Sequence, residues 1–461
     1  MRYLSTRGKK VDSFKEVLFS GLADDGGLFV PEEWPAINID QIDPNISYID
    51  LTLKIISPFI GNEIPKEDLQ KIVSNAYHNS FSVNDLVSFK ELNENETIVE
   101  LFNGPTLAFK DFAMQLLIPI FDYFLLIENR KINLIVATSG DTGSAAINAV
   151  RNSKNINIFC LYPKDRVSEF QRRQMSTVIE DNIILCEIDG TFDDCQSIVK
   201  SILNDQNFSN KFSVSAVNSI NWARIIIQSV YYFFSFLKIN RNKLDKINFA
   251  VPTGNFGDVY AGFVAFKMGL PINRLLVATN ENDILHRFFN NGEYKVNNVS
   301  KTSSPSMDIQ IASNFERLLF ELLGRSSELT KDKMNDLDRN GVIDISKEEL
   351  KIAKSIFLSG KAEMNDVNAV INQVFSESGY LIDPHTAVGL HASRQHNDNS
   401  HLNCILATAS PVKFSETVEG ATNKNLNLLE GYDSLFESSE KYVELSNSID
   451  EVKEQILTKN S

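Results

Sequence analysis

The chain has 461 residues, 43% hydrophobic and 23% charged, enough for a sizeable core and for about three domains, or one large enzyme with an added domain. Lys plus Arg is 45 against 60 for Asp plus Glu, and a formal net charge of −15 gives no general reason to bind nucleic acid or an anionic membrane. Four cysteines, Cys160, Cys186, Cys195 and Cys404, show no CxxC spacing, which argues against a zinc site or a disulfide framework and for reduced cytoplasmic thiols.

The first residues, Met1-Arg2-Tyr3-Leu4-Ser5-Thr6-Arg7-Gly8, carry no apolar run of the kind a signal peptide needs. Helical pieces are expected at 13–20, 49–60 and 66–77, with a turn at Asp24-Asp25-Gly26-Gly27. Residues 1–90 therefore read as a mainly helical accessory domain. From Thr97 onward one unit recurs: an apolar strand, a small polar loop, then a helix. Strands are expected at 97–102, 134–137, 157–162, 183–188, 247–251, 275–278 and 405–408, each but the last followed by a helical pattern. Such alternation predicts an α/β fold with parallel sheet covered on both faces. Ligands then bind at the carboxyl ends of the strands, where the loops fall.

Gly104-Pro105-Thr106-Leu107-Ala108-Phe109-Lys110-Asp111-Phe112 sets Lys110 where a strand turns into a helix among apolar neighbours. Desolvation and the positive end of a helix both lower a lysine pKa, and an amine so tuned can form a Schiff base with an aldehyde such as pyridoxal phosphate. A solvated surface lysine is the alternative.

Thr138-Ser139-Gly140-Asp141-Thr142-Gly143-Ser144 offers hydroxyls and backbone donors ahead of a helix, suited to a carboxylate or to an ordinary N-cap. Lys164 and Arg166 follow another strand and read as solvated. Asn218-Ser219-Ile220-Asn221-Trp222-Ala223-Arg224 places Arg224 just inside an apolar helix (224–237, too short to span a bilayer), where it suits an oxyanion or a core carboxylate. Thr253-Gly254-Asn255-Phe256-Gly257-Asp258 reads as a phosphate cradle or as a tight turn needing glycine. It is not GxGxxG, and no Walker lysine is present.

Residues 290–305 read as irregular. Asp336-Leu337-Asp338-Arg339-Asn340-Gly341-Val342-Ile343-Asp344 resembles the start of an EF-hand loop. Lys347 stands where the last ligand belongs, so the stretch reads as a solvated turn and no metal is expected. Of six histidines only His385, in Asp383-Pro384-His385-Thr386-Ala387, falls in a site-like turn. A final helix is expected at 449–457.

These motifs, with Pro384–Gly389 and Ala407-Thr408-Ala409-Ser410-Pro411-Val412-Lys413-Phe414, occur in an order that resembles threonine synthase, and the N-terminal Tyr3–Gly8 and Leu22–Pro31 are similar to its start. Ser410 stands where many relatives have histidine and Ala113 where many have glycine. The resemblance implies the type II pyridoxal-phosphate fold: two parallel-sheet three-layer domains plus a mainly helical N-terminal domain. It divides the chain into 1–90, a catalytic region 91–425, and a C-terminal extension 426–461 packing on that region. It implies that Lys110 holds the cofactor, that Gly254, Asn255, Phe256, Gly257 and Asp258 hold its phosphate, and that Thr408 meets its pyridine nitrogen. Thr138, Ser139, Gly140, Asp141 and Thr142 would take the substrate carboxylate, and Ser219, Asn221 and Arg224 the substrate phosphate. The implied reaction converts O-phospho-L-homoserine and water to L-threonine and phosphate in the cytoplasm. The implied partner is that small anion, in a monomer or homodimer. Alternatives are another lyase of the fold (a serine or threonine dehydratase, or an amino-alcohol phospholyase) or a non-catalytic relative.

Overall fold

The computed structural model describes residues 1–81, 85–239, 246–396 and 400–460. Two sheets organise it. One has five parallel strands in the spatial order Val443–Leu445, Ile183–Ile188, Ile156–Pro163, Ile132–Ala137 and Val214–Ala216. The other has six, in the order Phe357–Lys361, Ile272–Thr279, Ile247–Pro252, Asn403–Ala407, Glu96–Glu100 and Ser88–Asn93; all neighbours are parallel except the last pair. The central strands are buried along nearly their whole length, as sheets covered on both faces require.

Two long helices run through the interior. Lys110–Glu128 buries twelve of its residues and Trp222–Ile239 fourteen. Both read as apolar on nearly every side, the pattern of a helix enclosed by other elements. Their first turns carry the charged residues Lys110, Asp111 and Arg224.

The N-terminal segment has helices Phe14–Ser20, Tyr48–Ile60 and Lys66–Ser80, close to expectation. It also has a small antiparallel sheet the periodicity does not reveal: Tyr3–Ser5 pairs with Lys10–Val11 and with Phe29–Pro31. Strands of two or three residues are too short to show an alternation. This segment shares one continuous apolar core with the strands and helices that follow. The Tyr77 hydroxyl donates to the Phe112 carbonyl at 3.1 Å, and the Tyr48 and Phe81 rings pack on Phe112. Arg7 forms a two-pronged pair with Glu316, both contacts 3.0 Å. The segment therefore buttresses the first turn of the Lys110 helix.

Two local expectations change. The EF-hand-like stretch is the end of helix Ser327–Asn340, capped by Gly341 at φ 69, followed by strand Val342–Asp344. That strand pairs with Glu293–Lys295, so part of 290–305 is ordered ladder. Residues 443–445 add a strand to the sheet edge beside Ile183–Ile188, while Val452 and Ile456 of helix Ile449–Lys459 bury against Ile198 and Ile202. No helix among the described residues is long and apolar enough to cross a membrane.

Candidate active site

Loops from the carboxyl ends of both sheets converge on one cavity. It is lined by Lys110, Asp141, Thr142, Ser219, Arg224, Gly254 to Asp258, Ser306, His385 and Thr408, with Phe109, Gln228, Pro252, Thr253 and Met307. The two sheets face each other across it, as strand-end ligand sites in α/β folds do.

Lys110 opens its helix directly after Phe109. The turn before it is held firmly. Leu107 adopts φ 59, Phe109 N–H donates to the Thr408 carbonyl at 2.9 Å, and Ser410 N–H donates to the Leu107 carbonyl at 3.0 Å. Asp111 accepts from the Thr106 N–H at 2.8 Å and its hydroxyl at 2.7 Å. Gly104 is required here, because a Cβ would stand 2.5 Å from the Asp111 carboxylate. The Lys110 side chain is 12% exposed, and Nζ lies 3.1 Å from Asp141 Oδ2 and 5.0 Å from the Phe109 ring centroid. Burial lowers its pKa, Asp141 opposes that, and the nearby Lys413 and Arg224 charges reinforce it.

Asp141 is the hub of this end. It begins helix Asp141–Val150 and is 3% exposed. Besides Lys110 it meets Lys413 Nζ at 2.8 Å, Gln171 Nε2 at 2.8 Å and the Ser306 hydroxyl at 3.2 Å. Burial alone would raise its carboxyl; Lys110, then Lys413 and His385, outweigh that and hold it well below the usual range. The rest of the loop is divided. Thr142 lines the cavity. Thr138 turns inward, its hydroxyl accepting from Gly140 N–H at 3.0 Å and Gly143 N–H at 2.8 Å. Gly140 sits at φ 126 against Gln171, and Ser139 is half-buried.

The second glycine loop presents backbone rather than side chains. Phe256 takes φ 63 and its ring leaves for an aromatic cluster with Phe289, Phe315 and Phe357. A Cβ on Gly254 would come 2.5 Å from the Ser306 carbonyl. Helix Gly257–Lys267 starts here, and its first N–H groups have no partner within the helix. Asn255 is fixed by Asn314, whose N–H donates to its carbonyl at 3.0 Å. The Asp258 carboxylate points into protein, accepting from the Tyr231 hydroxyl at 2.5 Å and the Tyr232 hydroxyl at 2.9 Å, and burial pushes it up to about 6. An anion can therefore meet this turn through N–H groups alone.

Arg224 is 3% exposed. One guanidinium N–H donates to the Val217 carbonyl at 3.1 Å, Nε has no partner among the described residues, and no carboxylate there lies in ion-pair range. Burial pushes its pKa down to about 10. Ser219 lines the cavity and shares a 3.2 Å contact with the Ser313 hydroxyl. Asn221 does not face the cavity. Its amide donates to the Leu18 carbonyl at 2.9 Å and accepts from Ala223 N–H, so it ties this loop to the N-terminal segment. Gln171, Ser306 and Lys413 were not expected. Lys413 alone left a trace, as the one cation in the stretch Ala407–Phe414 at the end of a strand, and it is fully buried.

A desolvated amine, a glycine turn at a helix start, a neutral hydroxyl on Thr408 and a buried guanidinium in one cavity define a pyridoxal-phosphate-dependent α/β enzyme, and this donor set fits that cofactor. Three family models match the chain: Threonine synthase N terminus over residues 2–77, Pyridoxal-phosphate dependent enzyme over 88–350, and Threonine synthase, C-terminal over 386–456. The threonine synthase of Pseudomonas aeruginosa is 42% identical, over 98% of this chain and 97% of its own length. That of Saccharomyces cerevisiae is 41% identical over 91% and 88%. The solved structure of the pyridoxal-phosphate-bound threonine synthase from Brucella melitensis has a TM-score of 0.94 at 42% identity, covering 100% of this chain and 99% of that one. The chain belongs to the threonine synthase family of pyridoxal-phosphate-dependent lyases.

Proposed function

We propose that this chain converts O-phospho-L-homoserine and water into L-threonine and phosphate. The observation that carries the reading is Arg224, a buried cation lining the same cavity as Lys110 with no carboxylate partner among the described residues. A dehydratase acting on an uncharged hydroxyl has no use for such a charge; a phosphorylated substrate does.

Lys110 would hold the cofactor as a Schiff base, the N–H groups of Gly254, Asn255, Phe256, Gly257 and Asp258 its phosphate, and Thr408 its ring nitrogen. Pyridoxal phosphate, when bound, supplies an electron sink for charge at the substrate's Cα. Lys110 Nζ is the base of the site, taking a proton from Cα and then from Cβ and returning one to Cγ, which becomes the threonine methyl, and one to Cα; its lowered pKa suits that work near neutrality. Thr142 and the amides of the loop containing Thr138, Ser139, Gly140 and Asp141 bind the substrate carboxylate. Asp141 stays ionised between two lysines and keeps Lys110 aimed at the substrate. Arg224 and Ser219 bind the substrate phosphate, while Asn221 braces their loop from behind. The Cγ–O bond breaks with its electron pair leaving on phosphate, water oxygen bonds to Cβ, and no electrons are gained or lost overall. The buried walls of the cavity exclude water while charge develops at Cα. Four free, buried thiols and the acidic surface support a cytoplasmic enzyme acting on a small anion.

The test is a product assay on purified protein with pyridoxal phosphate and phosphohomoserine. Threonine and phosphate should appear in equal amounts. Release of 2-oxobutanoate, or breakdown of phosphoethanolamine without threonine, would replace this reading with a dehydratase or a phospholyase.

A further inference from the structure

His385 is the second residue of helix Pro384–Arg394 and is 3% exposed. Its Nδ1 lies 2.6 Å from Asp383 Oδ2. Asp383 is fully buried and locked as the helix N-cap: Oδ2 accepts from His385 N–H at 3.0 Å, and Oδ1 accepts from Thr386 N–H at 3.0 Å and from the Thr386 hydroxyl. The Phe414 ring packs edge-on against the imidazole at 4.9 Å. The orientation of the ring is thus set from two sides. A carboxylate only accepts, so the proton of a neutral ring resides on Nδ1. Nε2 is buried, has no partner among the described residues, and belongs to a residue that lines the Lys110 cavity. A nucleophile or base oriented by a carboxylate behind it is the recurring geometry of proton transfer.

The reaction proposed above asks for more proton transfers than one lysine serves. Lys110 handles protons on carbon. The leaving phosphate oxygen needs a proton, and the water that adds at Cβ must lose one. The titratable side chains lining the cavity are Lys110, Asp141, Arg224, Asp258 and His385. Asp141 is held ionised by two lysines, and Arg224 keeps its proton. Asp258 gives Oδ1 to two phenols and leaves Oδ2 without a partner among the described residues, but it sits at the turn assigned to the cofactor phosphate and not in the loops assigned to the substrate. His385 remains.

We propose that His385 is the catalytic acid and base for oxygen in this cavity, with Asp383 as its positioning residue; this rests on the phosphohomoserine reading. Nε2–H gives its proton to the bridging oxygen as the Cγ–O bond breaks, and phosphate departs as hydrogen phosphate. Neutral Nε2 then takes a proton from the water whose oxygen bonds to Cβ, which restores the imidazolium. The charged groups facing the ring are Asp383 on its own helix, Asp141 and Asp308 from the loops opposite, and Lys110 and Lys413 around Asp141.

The experiment uses holoenzyme in D2O with phosphohomoserine and follows two signals, deuterium exchange at Cα and phosphate release. In His385→Gln, Cα exchange should stay within about threefold of wild type while phosphate release falls about 100-fold or more. Equal loss of both signals means a structural role and overturns the proposal, as does unchanged phosphate release. If the wild type itself makes no threonine, the phosphohomoserine reading falls instead. A second measurement needs no turnover. In the protein without cofactor, at a pH high enough to deprotonate the ring, nitrogen-15 shifts of His385 should report the remaining proton on Nδ1, and Asp383→Asn should abolish that preference. A neutral ring protonated on Nε2 in the wild type would overturn the assignment.

Discussion

The two cationic ends of the cavity are built on opposite plans. At one, Lys110, Lys413 and Asp141 form a closed cluster, with every charge within 3.1 Å of a partner. At the other, Arg224 is equally buried, yet its only acceptor among the described residues is one carbonyl at 3.1 Å. Desolvation penalises both, but a paired cluster recovers the loss through ion pairs and an unpaired guanidinium does not. The paired end sets protonation states and geometry. The unpaired end leaves a buried positive charge with no counter-charge among the described residues, which is what the phosphohomoserine proposal uses.

Four changes break or sharpen this contrast. Lys110→Ala has the largest effect: the visible band of the holoenzyme and all threonine formation should vanish, read by absorbance and product assay, while the fold survives. Asp141→Asn comes next, because it leaves two buried lysines without a counter-charge. Stability should fall by about 3–5 kcal/mol in denaturant unfolding of the cofactor-free protein. The Lys110 pKa should fall further, since Asp141 is what raises it. Arg224→Leu should do the reverse to stability, because it removes a desolvated charge that has no counter-charge among the described residues. The melting temperature should hold or rise while KM for phosphohomoserine climbs about 100-fold with a smaller change in kcat. A fall in stability like that of Asp141→Asn would erase the distinction between the two ends.

The smallest effect is a pH dependence. Asp258 and Asp111 are both pushed by burial to about 6. An unfolded aspartate titrates near 3.9, so the folded state binds these protons more tightly. Their stabilisation is complete below about pH 4 and is lost as pH rises through 6, about 2–3 kcal/mol for each carboxyl. Asp141, held below its usual range, acts oppositely: its contribution is present above about pH 4 and is lost as pH falls through its lowered folded value. Asp258→Asn should flatten the slope between pH 4 and 6 in urea unfolding of the cofactor-free protein, and leave the acid limb of Asp141 in place.

Much of the site is legible in the chain because its parts are local. Strand, small polar loop and helix recur at short range, and Lys110, Arg224 and the Gly254 turn each sit where one pattern hands over to another. What escapes is contact across long separations. Lys413 reaches Asp141 from the far end of the chain, and Gln171 and Ser306 join it from two other elements. Asn221 belongs to a motif that points to substrate, yet its amide turns to Leu18, and Asp258 in a phosphate-like loop turns to two tyrosines. A motif gives the type and spacing of residues; it does not state which way each side chain leaves the backbone. The small N-terminal sheet and the strand Val443–Leu445 escape for a related reason, since three residues carry no period.

By itself the sequence determined the alternating α/β framework and the positions of its reactive amine and glycine turns, because helix and strand periods, glycine backbone freedom and helix starts are properties of neighbouring residues. Only the tertiary structure decided which charges are paired and which are left open, and that His385 lines the cavity with one nitrogen lacking a partner among the described residues. Desolvation and ion pairing depend on what the fold brings within a few ångströms, and no run of adjacent residues encodes that distance.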